Sequence, residues 1–386
     1  MKYCTRCVMP DTKPDLSFDS EGVCDACRSQ DKKDTGIDWN ARRRELGEVL
    51  ERYRSKDGSN YDCIVPVSGG KDSTYQVHVI KNEFGLNPLC VTFEPTLPSE
   101  LGKRNLYNLR KMGVDVISFE KNPAVYKKLG REAFYRVGDH DWPNHVGIFT
   151  VPIRVAVAYR IPLVIWGENS QLEYGGPAAA SQGNALDRRW LEEFGGLLGN
   201  RIEDMQGNGI SKKDLLPYVY PTDEELRDVG VTGIFLGYYL KWNAREQVEV
   251  VKKQGFGIKD DPVEGTYVDY ENLDCDLVSI HDYLKYVKFG FGRATDHACL
   301  DIRNKRMKRD EALRIIKKYD GKLFKKRVKQ FIEFYEMTEE EFFRVVDSFT
   351  NKAVFKTDGN GKIVRDSEGN LINLMLDEEL KRCGVE

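Results

Sequence analysis

The residues best suited to catalysis form the sequence Ser68-Gly69-Gly70-Lys71-Asp72-Ser73, between the apolar run 64–67 and a helical pattern that starts near Thr74. Two glycines let the backbone approach a ligand closely, so that successive N–H groups can converge on phosphate oxygens. The two serine hydroxyls can donate hydrogen bonds, Lys71 can offset phosphate charge, and Asp72 can hold a magnesium ion. The spacing is not that of the common P-loop. We predict a site for ATP and Mg²⁺ in which Lys71 and Asp72 are catalytic.

The ends of two later strand patterns also carry residues that suit a nucleotide. Thr92 and Phe93 close the second predicted strand, and Gly167, Glu168 and Asn169 follow the apolar run 163–166. Open α/β sheets bind ligands outside the carboxyl ends of their strands. We therefore expect these five residues to complete the nucleotide pocket, although Thr92 and Phe93 fit an ordinary core strand equally well.

Four cysteines near the start form the array C-x2-C-x16-C-x2-C, made by Cys4, Cys7, Cys24 and Cys27. Four thiolates on two tight turns suit tetrahedral Zn²⁺, which would organise a segment that has few large apolar residues. An iron–sulfur cluster is the alternative ligand for four thiolates. We predict structural zinc without a catalytic role.

The elements that must position these residues follow from periodicity. Strand-like and helix-like patterns alternate from residue 61 onward, which predicts a parallel sheet wrapped by helices. The predicted fold class is α/β, with a parallel-sheet domain, an N-terminal zinc-binding segment and a mostly helical C-terminal region. Because SGGKDS resembles the PP-loop of the ATP-pyrophosphatase superfamily, the sheet domain is expected to be of the PP-loop (HUP-like) type. We expect four parts: residues 1–34, a helix and linker at 35–60, the ATP-binding domain at 61–260 and the helical region at 261–386. The stretch GIFLGYYLKW reads as a strand, and the sequence after Gly175 reads as irregular and Gly-rich.

Charge and hydropathy exclude several functional classes. The 386 residues include 59 basic and 62 acidic side chains, a net charge of −3. Such a chain has no global positive field for a phosphate backbone, so we predict no nucleic-acid partner. Runs of about 18 apolar residues are absent, as is an apolar run that could serve as a secretion signal, so we predict no membrane insertion and a cytoplasmic location.

Taken together, CTRCVMP, the second C-x-x-C pair, SGGKDS, GENSQLEYGG and FGFGRATDHA resemble the N-acetyl sugar amidotransferases of bacterial surface-polysaccharide biosynthesis. SGGKDS by itself resembles the PP-loop of the wider ATP-pyrophosphatase superfamily. The resemblance implies an enzyme that adenylates the acetamido oxygen of a nucleotide-linked N-acetyl sugar. Ammonia then replaces that oxygen, which gives an acetamidino sugar, AMP and pyrophosphate.

The acceptor side of such a site is expected in two segments. Glu173, Tyr174 and Gly175 are placed to border the substrate, and Arg293 is placed to clamp a diphosphate with Asp296 beside it. Arg293 is accordingly predicted to be catalytic as well as substrate-binding. The roles of His140, His145 and His297 stay open. The basic run 303–309, RNKRMKR, suits a nucleotide-sugar phosphate, a nucleic acid or a solvated face.

Two other functions compete: a tRNA-modifying PP-loop enzyme of the thiolase type, and a non-catalytic ATP-binding adaptor. The near-neutral charge and the lack of a cysteine pair after the PP-loop disfavour the first. Cysteines in a glutaminase setting are also missing, since Cys63 and Cys90 fall within strands. We therefore expect a separate glutaminase subunit to supply ammonia, and the resemblance points to the kind found in histidine biosynthesis.

Overall fold

A computed structural model of the chain describes residues 2–176, 185–186 and 199–385. The predicted irregular segment after Gly175 falls partly outside these residues. Among the described residues, no helix is both long and apolar enough to cross a membrane.

A six-stranded sheet with the order β3-β2-β1-β4-β6-β5 forms the centre of the chain. Its strands are β1 Cys63–Pro66, β2 Pro88–Phe93, β3 Asp115–Phe119, β4 Leu163–Trp166, β5 Ala185–Leu186 and β6 Thr232–Phe235. All pairings are parallel except that of β5 with β6. This sheet confirms the predicted α/β class. The strand order reverses between β1 and β4, and a ligand crevice is expected at such a switch point.

Helices cover the sheet and fill the C-terminal region. Those up to β6 are α1 Asp25–Thr35, α2 Trp39–Tyr53, α3 Lys71–Val77, α4 Glu100–Lys111, α5 Pro123–Val137, α6 Trp142–Tyr159, α7 Ser170–Tyr174 and α8 Asp223–Val229. Those after β6 are α9 Leu236–Tyr239, α10 Ala244–Lys252, α11 Val278–Phe289, α12 Arg293–Arg303, α13 Arg309–Tyr319, α14 Lys325–Tyr335, α15 Glu339–Phe349 and α16 Leu374–Arg382. A π-helical turn, His78–Glu83, continues α3, and 3-10 turns occur at Ile202–Met205 and Leu216–Tyr218.

Local capping explains where several helices begin. The Asp38 carboxylate accepts hydrogen bonds from the second and third backbone N–H groups of α2, and the Ser99 hydroxyl accepts one from the third N–H group of α4. Thr222 and Glu225 form a reciprocal capping box at the start of α8. At α15, Thr338 and Glu341 have the same spacing but only half of the box forms, because the Glu341 carboxylate instead accepts from the Tyr135 hydroxyl.

Three large clusters of buried side chains hold the chain together. One lies on the α2 and α3 face of the sheet, and a second lies on the face covered by α5 and α6. The third joins the helices after α10 to the cysteine segment, whose Tyr3, Val8 and Met9 are buried in it. The cysteine segment thus shares its core with the C-terminal helices. We keep the four-part division of the chain as a proposal.

One predicted strand is shorter than expected. In GIFLGYYLKW, the strand ends at Phe235 and the chain turns into the short helix α9. Leu236 and Tyr239 are both fully buried, which a helical turn achieves as readily as a strand in such an apolar run.

Candidate functional site

The loop after β1 has the geometry that its two glycines allow. Gly69 has φ +79°, and a Cβ there would lie 2.8 Å from the backbone nitrogen of Leu106. A side chain would therefore be both strained and sterically blocked. The loop is braced from within, since Ser73 Oγ and Thr74 Oγ1 donate to the Gly70 carbonyl oxygen at 3.1 and 2.9 Å.

Four charged side chains from distant parts of the chain meet at this loop. Lys71 Nζ lies 2.6 Å from Asp72 Oδ2 and 2.8 Å from Glu271 Oε1. The other oxygen of Glu271 lies 3.6 Å from the Arg293 guanidinium. The carboxylate of Glu271 thus lies between Lys71 and Arg293, the two cations that were predicted from the sequence to be catalytic.

These contacts shift the protonation of the groups involved. Burial lowers the pKa of Lys71, but the carboxylates of Asp72 and Glu271 outweigh it and raise that pKa above its ordinary value. Burial raises the pKa of Glu271, yet Lys71 and Arg293 bring it below its ordinary value. Lys71 is therefore an ammonium and Glu271 a carboxylate at neutral pH.

The strand end after β4 brings a third acidic residue, Glu168, to the same place. Burial, reinforced by the nearby Asp72 carboxylate, raises the pKa of Glu168 to about 8. Gly167 leaves room for two neighbours, because a Cβ there would lie 2.7 Å from the Gln76 amide and 3.2 Å from the Trp242 ring. Asn169, next along the chain, is 1% exposed.

Thr92 and Phe93 occupy opposite faces of β2. Phe93 packs in the core, with its ring centroid 5.7 Å from that of Phe119 and 5.8 Å from that of Tyr218. Thr92 is 1% exposed, and its hydroxyl has no hydrogen-bond partner in the described part of the chain. Of the two, Thr92 has the free polar atom that a ligand could use.

Arg293 begins α12, but the backbone donors there are already bound. Asp320 accepts hydrogen bonds from the N–H groups of Gly292 and Ala294 at 2.9 and 3.0 Å. The Nε of Arg293 has no partner among the described residues, so this side chain is the donor left for an anion. Asp296 forms a buried ion pair with Lys285. His297 is bound to the Thr266 hydroxyl at 2.6 Å.

The segment predicted to border the substrate lies against the cysteine segment. Glu173 forms a buried ion pair with Lys33 of α1. A Cβ on Gly175 would lie 2.5 Å from Asp25 Oδ1, and the Gly175 carbonyl accepts from Lys13 Nζ at 2.8 Å. Of the three predicted residues, Tyr174 is the one whose surroundings include Glu168 and Arg293.

The four predicted zinc ligands converge. Their sulfurs all lie within 4.8 Å of one another, with Cys7 and Cys24 at 3.7 Å and Cys4 and Cys27 at 4.0 Å. Zn–S bonds of about 2.3 Å in a tetrahedron place neighbouring sulfurs about 3.8 Å apart. The backbone N–H groups of Cys7 and Cys24 point at Cys4 Sγ, at 3.5 and 3.3 Å, as donors to a metal-bound thiolate do. The cluster therefore fits one zinc ion, whereas an iron–sulfur cluster would need wider spacing.

The arginines of the basic run 303–309 form hydrogen bonds and ion pairs within the chain. Arg303 donates to the Glu173 carbonyl at 2.6 Å, Arg306 to Asp301 at 2.8 Å, and Arg309 to the Cys7 carbonyl at 3.0 Å. These arginines fasten the cysteine segment and α12 rather than forming an open basic patch.

Sequence reasoning missed Glu271, because it lies in an irregular stretch with no motif. It also missed His281, whose Nδ1 lies 2.9 Å from Asp139 Oδ1. The two histidines near residue 140 have different surroundings: His140 is fully buried against Tyr335, and His145 faces His281 with ring centroids 4.9 Å apart. In the sequence, His281 is one of many polar residues spaced along the helical pattern of the C-terminal region, so no pattern indicated its contact with Asp139.

Comparison with known proteins gives a family match for part of the chain. Residues 264–366 match the family model described as LPS biosynthesis protein WbpG-like, C-terminal domain, and this range includes both Glu271 and Arg293. The chain is also similar to an uncharacterized protein of Methanocaldococcus jannaschii, with 30% identity over 109 residues. That similarity covers 28% of this chain and 38% of the relative, so the chain spans well under half of the relative's length. Residues 264–366 are therefore similar to the C-terminal domain of a WbpG-like protein of LPS biosynthesis, which supports the predicted link to bacterial polysaccharide biosynthesis.

Proposed function

We propose that the chain is an AMP-forming amidotransferase that acts on a nucleotide-linked N-acetyl sugar. The acetamido oxygen attacks the α-phosphorus of ATP and expels pyrophosphate. Ammonia then adds to the activated carbon, AMP leaves with the former amide oxygen, and a proton is released as the C=N bond of the acetamidino group forms. The observation that carries the proposal is the meeting of Lys71, Asp72, Glu271 and Arg293 at the SGGKDS loop.

The chain's own residues suit the charges of this reaction. Lys71 is held as an ammonium next to the glycine turn, where it can offset phosphate charge. Arg293 has an unpartnered Nε and faces the same carboxylate, so it can bind a second anionic group. When phosphates arrive, both cations have a new anion to pair with in addition to Glu271.

The acidic residues suit Mg²⁺, which stabilises phosphate charge when it is bound. Asp72 Oδ1 is buried and has no partner among the described residues. Glu168 acts electrostatically on both Asp72 and Glu271 through its proximity, and oxygen donors of this kind are those that Mg²⁺ prefers. We propose that Asp72 is a direct ligand, with Glu168 and Glu271 beside it.

The decisive experiment combines the purified chain with ATP, Mg²⁺, an ammonium salt and a panel of nucleotide-linked N-acetyl sugars. We expect AMP and pyrophosphate to form only when a sugar is present, with a product in which NH replaces the carbonyl oxygen. Chromatography of the nucleotides and mass spectrometry of the sugar report the two halves separately. AMP formation that requires tRNA would instead support the thiolase, and ATP binding without turnover would support the adaptor.

Two variants test the assignment of the loop. Lys71→Met should abolish AMP formation, whereas Lys103→Met, a matched change at a lysine whose side chain is 55% exposed, should leave it intact. Equal activity in both variants would remove Lys71 from the mechanism.

We also propose that ammonia comes from a separate glutaminase subunit. Among the described cysteines, Cys63 and Cys90 are buried within the sheet, and burial raises the pKa of both thiols, to about 12 for Cys90. A buried thiol with a raised pKa is a poor nucleophile. The isolated chain should therefore use ammonium but not glutamine, and it should gain glutamine dependence when the glutaminase is added. Robust glutamine hydrolysis by the purified chain would refute this.

A further inference from the structure

A second group of potential metal ligands lies outside the loop and the cysteine cluster. One ligand atom from each of Asp139, His145 and His281 lies within 4.8 Å of the other two. Asp139 belongs to the connection between α5 and α6, His145 to the first turn of α6, and His281 to α11. Three backbone elements are thus arranged so that two imidazoles and one carboxylate meet.

We infer that Asp139, His145 and His281 form a binding site for a divalent transition-metal ion, with Zn²⁺ the best match. Two histidines and one carboxylate are a donor set that such ions favour, and they leave at least one coordination position for water or a substrate atom. This inference does not depend on the amidotransferase proposal.

The observed distances are close to those that one ion requires. Bonds of about 2.0–2.2 Å in a tetrahedron place neighbouring ligand atoms about 3.3 Å apart. His281 Nδ1 and Asp139 Oδ1 are 2.9 Å apart, so this pair needs to open by only a few tenths of an ångström. His145, whose side chain is 31% exposed, supplies the third ligand atom within 4.8 Å of the other two.

The surroundings hold the ligands in place and favour a cation. The N–H of Asp141 donates to Asp139 Oδ1 at 3.0 Å, which fixes the carboxylate, as outer-shell partners of metal ligands do. Asp141 and Asp282 add negative charge beside His281. Asp282 is itself held by Asn272 Nδ2 at 2.6 Å. Lys288 lies near Asp139 and Arg293 lies near Asp282, so part of this negative charge is already balanced within the chain.

The alternative is a plain ion pair between Asp139 and a protonated His281. It accounts for the 2.9 Å contact. It also allows a neutral His145 in the same small volume, because the His145 ring packs edge-to-face on His281 and its Nε2 lies 3.9 Å from Asp141 Oδ2. A bound ion would add bonds to all three side chains, so the two explanations differ in metal content.

Metal stoichiometry distinguishes the two explanations. The full chain, first stripped with a chelator, is titrated with Zn²⁺ and analysed by elemental mass spectrometry after gel filtration. We expect two equivalents in the unmodified chain and one in Asp139→Asn and in His145→Phe, which keeps a ring against His281. His78→Gln changes a histidine that lies in the π-helical turn after α3 and is paired with Glu83. This variant should keep two equivalents of Zn²⁺.

Titration with Co²⁺ assigns each equivalent to its site, because thiolate ligands give intense charge-transfer absorption and imidazole ligands do not. The first equivalent should carry the thiolate signal and the second should not, and only the second should be lost in the two variants. Circular dichroism checks that both variants are folded. A single equivalent in the unmodified chain, or a second equivalent that both variants retain, would overturn the inference.

Discussion

The buried pair of Lys33 and Glu173 yields a sharp test of how the cysteine segment is attached. Both side chains are 6% exposed, so Glu173→Gln leaves an ammonium without its counter-charge in the interior. Removing one partner of a buried pair costs about 3–5 kcal/mol. At 1.36 kcal/mol per tenfold change, the unfolded fraction should rise roughly 100- to 5,000-fold. Urea unfolding with zinc held constant measures this directly.

The double variant Lys33→Met/Glu173→Leu removes both charges and should recover stability to within about 1 kcal/mol of the original chain. Asp31→Asn serves as the control, since its pair with Arg6 is 56% and 43% exposed and should be worth less than about 1 kcal/mol. The reasoning fails if Glu173→Gln is as stable as the original chain. It also fails if the double variant is less stable than either single change. Lost turnover with unchanged stability would instead restore Glu173 to the substrate site.

Three further predictions concern the candidate sites. Asp72→Asn should keep the fold, as judged by circular dichroism, but lower AMP formation at least about 100-fold, because a neutral amide holds Mg²⁺ poorly; Asp310→Asn, at a side chain that is 53% exposed, is the matched control. Because burial and Asp72 raise the pKa of Glu168 to about 8, the folded chain binds the extra proton. The free energy of unfolding without ligands should fall as pH rises from about 5 to 8, and it should fall less steeply in Glu168→Gln. Urea unfolding at each pH measures it, and equal slopes against pH for the two chains would contradict the prediction. Cys24→Ser should lower zinc content and stability together, and normal zinc content in that variant would exclude Cys24 as a ligand.

The parts of the fold that were predictable are those with short-range signals. The helix at 39–53 and the strand at 163–166 appear where periodicity indicated. The alternation of these patterns was sufficient for the parallel sheet, because parallel strands need crossover helices. The end of the strand at Phe235 was not predictable, since the apolar run continues unchanged into the helical turn that follows.

The candidate site was predictable where a motif is contiguous, and not where it is assembled by tertiary contacts. The motif SGGKDS is contiguous and predicts its own loop. Glu271, which contacts Lys71, lies 200 positions later in the chain, in a stretch without periodicity. The same holds for His281 and Asp139, which are paired only because α11 packs beside the connection before α6. Single-sequence patterns record local geometry, and these contacts are not local.

The contacts of Arg303 connect the four-cysteine cluster to the loop that carries Glu168. Its guanidinium lies 4.0 Å from Cys7 Sγ and donates to the Glu173 carbonyl at 2.6 Å. Glu173 lies five positions after Glu168, and the short helix α7 fills most of that interval. Thiolates that hold zinc keep their negative charge, which keeps this arginine in place; without the ion the sulfurs take up protons and that attraction falls. A zinc ion with no chemical part in the reaction can therefore still decide where the acidic side chain next to Lys71 and Asp72 stands.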